Sequence, residues 1–140
     1  DIYEKYFDHI ESNVPYVVIK HDVRRLSDIF VPKSFDLVIA LDVIEHLEKA
    51  ESLSMIKQCE AVAKKAVVLE TPEGYVPQDI DILGHGGHEY QTHRCGWEEK
   101  ELQDLGYNVF SRDYVMSDVK RFSKHKVDPH IKLLEAIKFF

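Results

Sequence analysis

The stretch FDLVIALDVIEHLEK, Phe35 to Lys49, changes character at its middle. Its first half, Phe35 to Leu41, is almost continuously apolar, the pattern of a short strand covered on both faces. The second half turns acidic at Asp42, with no glycine or proline between, and then takes on helical spacing. An apolar strand that delivers Asp42, Glu45 and His46 to its end marks that end as a place where something binds.

Working outward, Tyr3, Phe7 and Ile10 fall at helical spacing within Tyr3 to Ser12, and Asn13 and Pro15 stop that pattern. YVVIK, Tyr16 to Lys20, reads as a short buried strand ending at His21-Asp22. On the other side, the spacing predicts a long helix from Val43 or Ile44 to about Val62, with Leu47, Leu53, Ile56 and Val62 as its core stripe. AVVLE, Ala66 to Glu70, is a third strand closed by Thr71-Pro72. A glycine- and histidine-rich loop follows from Glu73 to Gly96. WEEKELQDLGY is a short helix with Gly106 as its C-cap, and NVFSRDYVM is a further strand. The tail, 118–140, is more basic and ends in IKLLEAIKFF, which reads as an amphipathic helix packed on the sheet or on another subunit of a homo-oligomer.

Strand–helix alternation of this kind predicts a parallel α/β sheet. With 140 residues and 44% hydrophobic content, the chain is long enough for one domain, 1–140, with a real core. In open α/β sheets, ligands sit at the carboxyl ends of the strands, and here those ends carry Asp22, Leu41-Asp42 and Glu70-Thr71. A net charge of −7 argues against a protein that coats a nucleic-acid duplex. No apolar run approaches the ~20 residues that cross a bilayer. The start has no signal-peptide pattern, and two cysteines, Cys59 and Cys95, are too few for a disulfide scaffold. The expectation is a soluble, cytoplasmic protein with reduced thiols.

In series, YVVIKHDV, SFDLVIALDVIEHLEK, AVVLETPEGY and HRCGW…LGYNVF resemble the class I S-adenosylmethionine-dependent methyltransferases over about residues 1–115. That resemblance implies a Rossmann-like three-layer α/β sandwich, S-adenosylmethionine (SAM) as cofactor, and methyl transfer to a small-molecule or sugar-like acceptor. It implies that Asp1 accepts both ribose hydroxyls, which suits the two oxygens of one carboxylate. Asp22 would accept the adenine amino group, and the Val23 backbone N–H would meet a ring nitrogen. Leu41 and Asp42 would line the methionine end, with Val43 and His46 nearby. The loop from Thr71 to Gly96 would cover the acceptor. The family's first strand and its glycine-rich loop have no counterpart here. Gly84-His85-Gly86-Gly87 follows the third strand and opens no helix, so it fails the required context. The implied chain is therefore the later part of a longer domain.

Each singled-out residue also has a plainer reading. Asp22 and Asp42 suit turns or helix N-caps, and Glu45 stands three residues after Asp42 as in a capping box. Glu45 and His46 suit the first turn of a helix. The methyltransferases of small-RNA 3′ ends, and some quinone-pathway relatives, carry an acid-x-x-Glu-His run here with a histidine four residues before a tryptophan. By that resemblance Asp42, Glu45, His46 and His93, with Trp97 as marker, form an alternative metal set for an RNA 2′-O-methyltransferase, while the first reading has no metal. His85, His88, His93 and Cys95 match no standard zinc spacing. His93 is the preferred general base, an imidazole titrating near neutrality, with His46 beside it and Tyr90 and Arg94 orienting the acceptor. A runner-up function is a non-catalytic, methyltransferase-like binding module.

Overall fold

A computed structural model describes residues 1–10, 12–82, 84–115 and 129–140. Its described strands are β1 (Phe35–Leu41), β2 (Ala63–Pro72), β3 (Asn108–Val115) and β4 (His130–Phe139), joined in one sheet of order β1-β2-β4-β3. Helices α1 (Lys49–Val62), α2 (His88–Gln91) and α3 (Glu99–Asp104) accompany it. β1 and β2 run parallel, whereas β4 is antiparallel to both of its neighbours. The sheet is thus mixed, where alternation alone predicts a parallel one.

The largest departure is at the C-terminus. IKLLEAIKFF is the strand β4, not an amphipathic helix. A short apolar run fits either period. Here the strand wins because it fills the slot between β2 and β3, where both of its backbone edges are hydrogen-bonded. Leu134 and Ala136 point into the core and are fully buried. The basic part of the tail, 118–128, lies outside the described residues.

The helix expected from Val43 or Ile44 to Val62 is broken. A single 3-10 turn, Ile44–His46, precedes an extended Leu47, and α1 starts only at Lys49. Its N-terminus is closed by a reciprocal box between Glu48 and Glu51, so Asp42 is not the cap. Asp42 instead takes a left-handed backbone, φ 50°, which aspartate tolerates better than most residues. Its N–H bonds to the Glu70 carbonyl at 3.0 Å.

The first two predicted elements also differ. Tyr3 to Ser12 yields only a 3-10 segment, Glu4–His9. Contacts with the distant loop override local preference there: the Tyr3 hydroxyl donates to the His85 carbonyl at 2.7 Å, and the Tyr3 ring meets those of Tyr6 and Tyr90. Tyr16 to Lys20 is not a strand, since no described strand lies beside it to pair with. Val17 there is 85% exposed. The short helix and the strand after it stand as expected: α3 ends before Gly106, φ 89°, in the left-handed conformation of a C-cap.

The core sits on one face of the sheet. Ala40, Val67, Leu69, Leu134 and Ala136 from the strands meet Met55, Ile56 and Cys59 of α1, Leu102 of α3, and Ile44 and Trp97. Trp97, 1% exposed, is a packing anchor, and Lys49 Nζ stands 3.7 Å from its ring centroid. The other face shows Leu37, Ile39, Leu41, Phe110 and Tyr114 exposed. Arg112 there bridges Glu70 at 3.1 Å and Glu135 at 2.5 Å. No helix among the described residues is long and apolar enough to cross a membrane.

Candidate active site

Two cavities open at the carboxyl ends of β1 and β2, as the topology of such sheets requires. The first, of about 640 Å³, is lined by Asp1, Asp22, Val23, Asp42 and His46, with Tyr90 and Arg94 on the loop side. The second, of about 600 Å³, is lined by Leu41, Glu45, Glu70, Gln78, His93 and Arg112 among others. Asp1, Tyr6, Asp42, Val43, His46 and Gln91 border both. Four of the five expected cofactor residues therefore share the first cavity, and Leu41 lines the second instead. Tyr90 and Arg94, expected at the acceptor, line the first.

The Asp22 side chain caps the turn that starts at Val23, accepting from the Arg24 N–H at 2.9 Å. Its two oxygens also take the Arg24 guanidinium, at 2.9 Å to Nε and 2.6 Å to Nη2. That side-chain pairing, above all else, holds the Asp22 carboxyl below its usual range. The Asp1 carboxylate accepts the Tyr3 N–H at 2.8 Å.

Backbone bonds bring the loop histidine to the end of β1. The Glu45 carbonyl accepts from the N–H groups of Arg94 at 2.8 Å and Cys95 at 3.2 Å, while the His93 N–H donates to the Gln78 carbonyl at 2.9 Å. His93 and His46 consequently meet edge to face, ring centroids 4.7 Å apart. His93 Nδ1 lies 2.6 Å from the Val76 carbonyl, and His46 Nδ1 lies 3.3 Å from that of Thr92. A carbonyl can only accept, so both Nδ1 atoms carry the proton.

Burial pushes His93 down to about 4, with His46 adding to the effect, and burial lowers His46 as well. The expectation of an imidazole titrating near neutrality is corrected accordingly: His93 is neutral throughout the physiological range, and a weak base. Glu45 is 2% exposed. Burial, followed by the neighbouring Asp42 carboxylate, pushes it up to about 8. Burial and Glu70 raise Asp42 too. Glu45 Oε2 accepts from the Thr71 hydroxyl at 3.0 Å, whereas Oε1 has no hydrogen-bonding partner of suitable geometry. This buried hydroxyl–carboxylate contact was not read from the sequence, where Thr71 marked only the end of a strand.

The loop histidines part company. His88 Nδ1 accepts the Asp81 N–H at 2.9 Å, and Asp81 in turn accepts from the N–H groups of His85 and Gly87, each at 2.8 Å. Cys95 lies instead against Ser52 and the Ile44 carbonyl. Asp81, 4% exposed, is the buried hub of the loop, a role invisible to spacing rules.

No protein-family model and no curated protein matches the sequence. Solved structures do. A SAM-dependent methyltransferase from Archaeoglobus fulgidus is 18% identical, with a TM-score of 0.61 over 99% of this chain and 74% of that one. Magnesium protoporphyrin IX methyltransferase (ChlM) from Synechocystis PCC 6803 is similar in two states. With bound SAM it is 19% identical over 86% of this chain and 44% of its own, TM-score 0.43. With bound SAH it is 20% identical over 86% and 49%, TM-score 0.44. This chain thus spans less than half the length of the ChlM structures. Its fold is the Rossmann-like fold of the class I SAM-dependent methyltransferases.

Proposed function

We propose that this chain takes part in SAM-dependent methyl transfer to a small-molecule or sugar-like acceptor. The observation that carries this reading is the meeting of two cavities along Asp42, Val43 and His46, one for a donor and one for an acceptor. The first has the volume of a cofactor site. Its carboxylates suit the group: Asp1 and Asp22 supply acceptors for hydroxyl and amino hydrogens. When bound, SAM supplies a methyl group on a positively charged sulfur. Asp42 and Glu70 add negative potential beside that charge, and the paired cavities hold donor and acceptor in register, which is most of what such a transfer needs. A net charge of −7 speaks against an RNA acceptor.

A second reading is the non-catalytic, methyltransferase-like binding module: among the described residues no glycine lines the first cavity. Calorimetric titration with S-adenosylhomocysteine separates the two readings. The enzyme reading expects a Kd near ~1 μM, about −8 kcal/mol, lost in Asp22→Ala. Absence of heat at millimolar ligand would end it.

A further inference from the structure

Charge lines the first cavity unequally. Asp1, Asp22, Asp42, Glu48, Glu51 and Glu89 border it, against two guanidinium groups, Arg24 and Arg94. A ligand that brings a carboxylate of its own into such a cavity is repelled from most sides and needs a cation to stay.

The two arginines are not equivalent. Arg24 is committed within the protein, where its guanidinium bridges Asp22 at 2.6 Å and Glu51 at 2.8 Å. Arg94 makes no ion pair with a carboxylate among the described residues. Its Nη2 donates to the Glu89 carbonyl at 3.0 Å, a bond that steadies the side chain and leaves its charge uncompensated. Its backbone N–H donates to the Glu45 carbonyl at 2.8 Å. The residue is thereby pinned just past the end of β1, in the neighbourhood of Asp42, Val43 and His46, which border both cavities. A guanidinium presents its donors as a planar fork that meets a carboxylate in two parallel bonds.

We propose that Arg94 is the counterion for the carboxylate at the amino-acid end of the bound cofactor, and so selects ligands that carry that amino acid intact. The assignment rests on the methyl-transfer reading, in which the adenosine takes Asp1 and Asp22 and the amino-acid end lies toward Asp42. The acidic remainder of the lining suits the other charges of the same ligand, its ammonium and, in SAM, its sulfonium.

The test is a calorimetric comparison of S-adenosylhomocysteine with its decarboxylated analogue, S-adenosyl-3-thiopropylamine, which keeps the ammonium and lacks only the carboxylate. The unmutated chain should bind S-adenosylhomocysteine about 10-fold more tightly than the amine. The acidic lining alone would give the opposite order, because the amine carries the greater positive charge, so this arm stands even if a variant misfolds. Arg94→Gln, with far-UV circular dichroism as the check on folding, should bind S-adenosylhomocysteine about 10-fold more weakly and the amine no more weakly than before. Arg94→Lys, which keeps the charge without the fork, should recover part of the loss. Preference for the amine in the unmutated chain would overturn the assignment. So would a folded Arg94→Gln that loses both ligands equally, or that binds S-adenosylhomocysteine as well as before. Each of these results leaves the methyl-transfer reading in place, whereas an unmutated chain that binds neither ligand ends both.

Discussion

His46 and His93 meet edge to face at 4.7 Å between ring centroids, and a backbone carbonyl clamps Nδ1 of each. Forty-seven positions of sequence separation collapse to a contact because Glu45 hydrogen-bonds its backbone to the loop on the C-terminal side of His93.

The first consequence concerns acid. His93 in the folded chain takes up its proton near 4, against an ordinary 6.5. Above 6.5 both folded and unfolded chains hold it neutral and the contribution is complete. As pH falls from 6.5 toward 4, only the unfolded state gains the proton, and stability is lost. The urea midpoint of chelator-treated protein should fall across that window, and fall less in His93→Gln. Imidazole NMR should place the His93 midpoint near 4.

Helix capping can be assigned by mutation. Glu48→Ala breaks the box at the start of α1 and should cost about 1 kcal/mol in urea unfolding. Asp42→Asn, which retains a side chain that tolerates the left-handed backbone, should leave α1 intact.

Gly96 is packed against the turn at Gly74. A Cβ there would lie 2.5 Å from the carbonyl carbon and oxygen of Gly74 and from the Tyr75 nitrogen. Gly96→Ala must push these segments apart, and with them the Gly74 N–H to Trp97 carbonyl bond of 2.7 Å. A loss of roughly 1–3 kcal/mol is expected by chemical denaturation.

The two faces of the sheet should respond unequally. Leu134→Ala empties a fully buried site and should cost about 2–5 kcal/mol. Phe110, 61% exposed on the opposite face, should lose no more than about 0.5 kcal/mol on truncation to alanine.

Much of this fold was legible because short continuous apolar runs and turn residues are local signals. Phe35–Leu41, the third strand and Gly106 fell where expected. IKLLEAIKFF did not, since nothing within ten apolar-rich residues says that a slot between two strands awaits them. The helix break at Leu47 was equally hidden: its cap is Glu48, and glutamate is not a usual capping residue. At the site, Asp42, Glu45 and His46 are named by their position after a strand, and His93 by its place in the loop four residues before Trp97. Their chemistry is not. Burial, which turns His93 into a neutral donor and Glu45 into a high-pKa acid, is a property of the assembled loop, and the Val76, Thr92 and Thr71 contacts that orient them involve residues with no sequence signature.

β4 lies between β2 and β3 although it is the last of the four to leave the ribosome. Among the described strands, until residues 130–139 emerge β3 has no partner and β2 has β1 alone. The β1–β2 pair can form early, but joining β3 to it waits on β4 and on contacts far apart in the chain, which form slowly. A nascent chain stalled before His130 would present two unfinished edges to whatever chaperone or protease reaches it first.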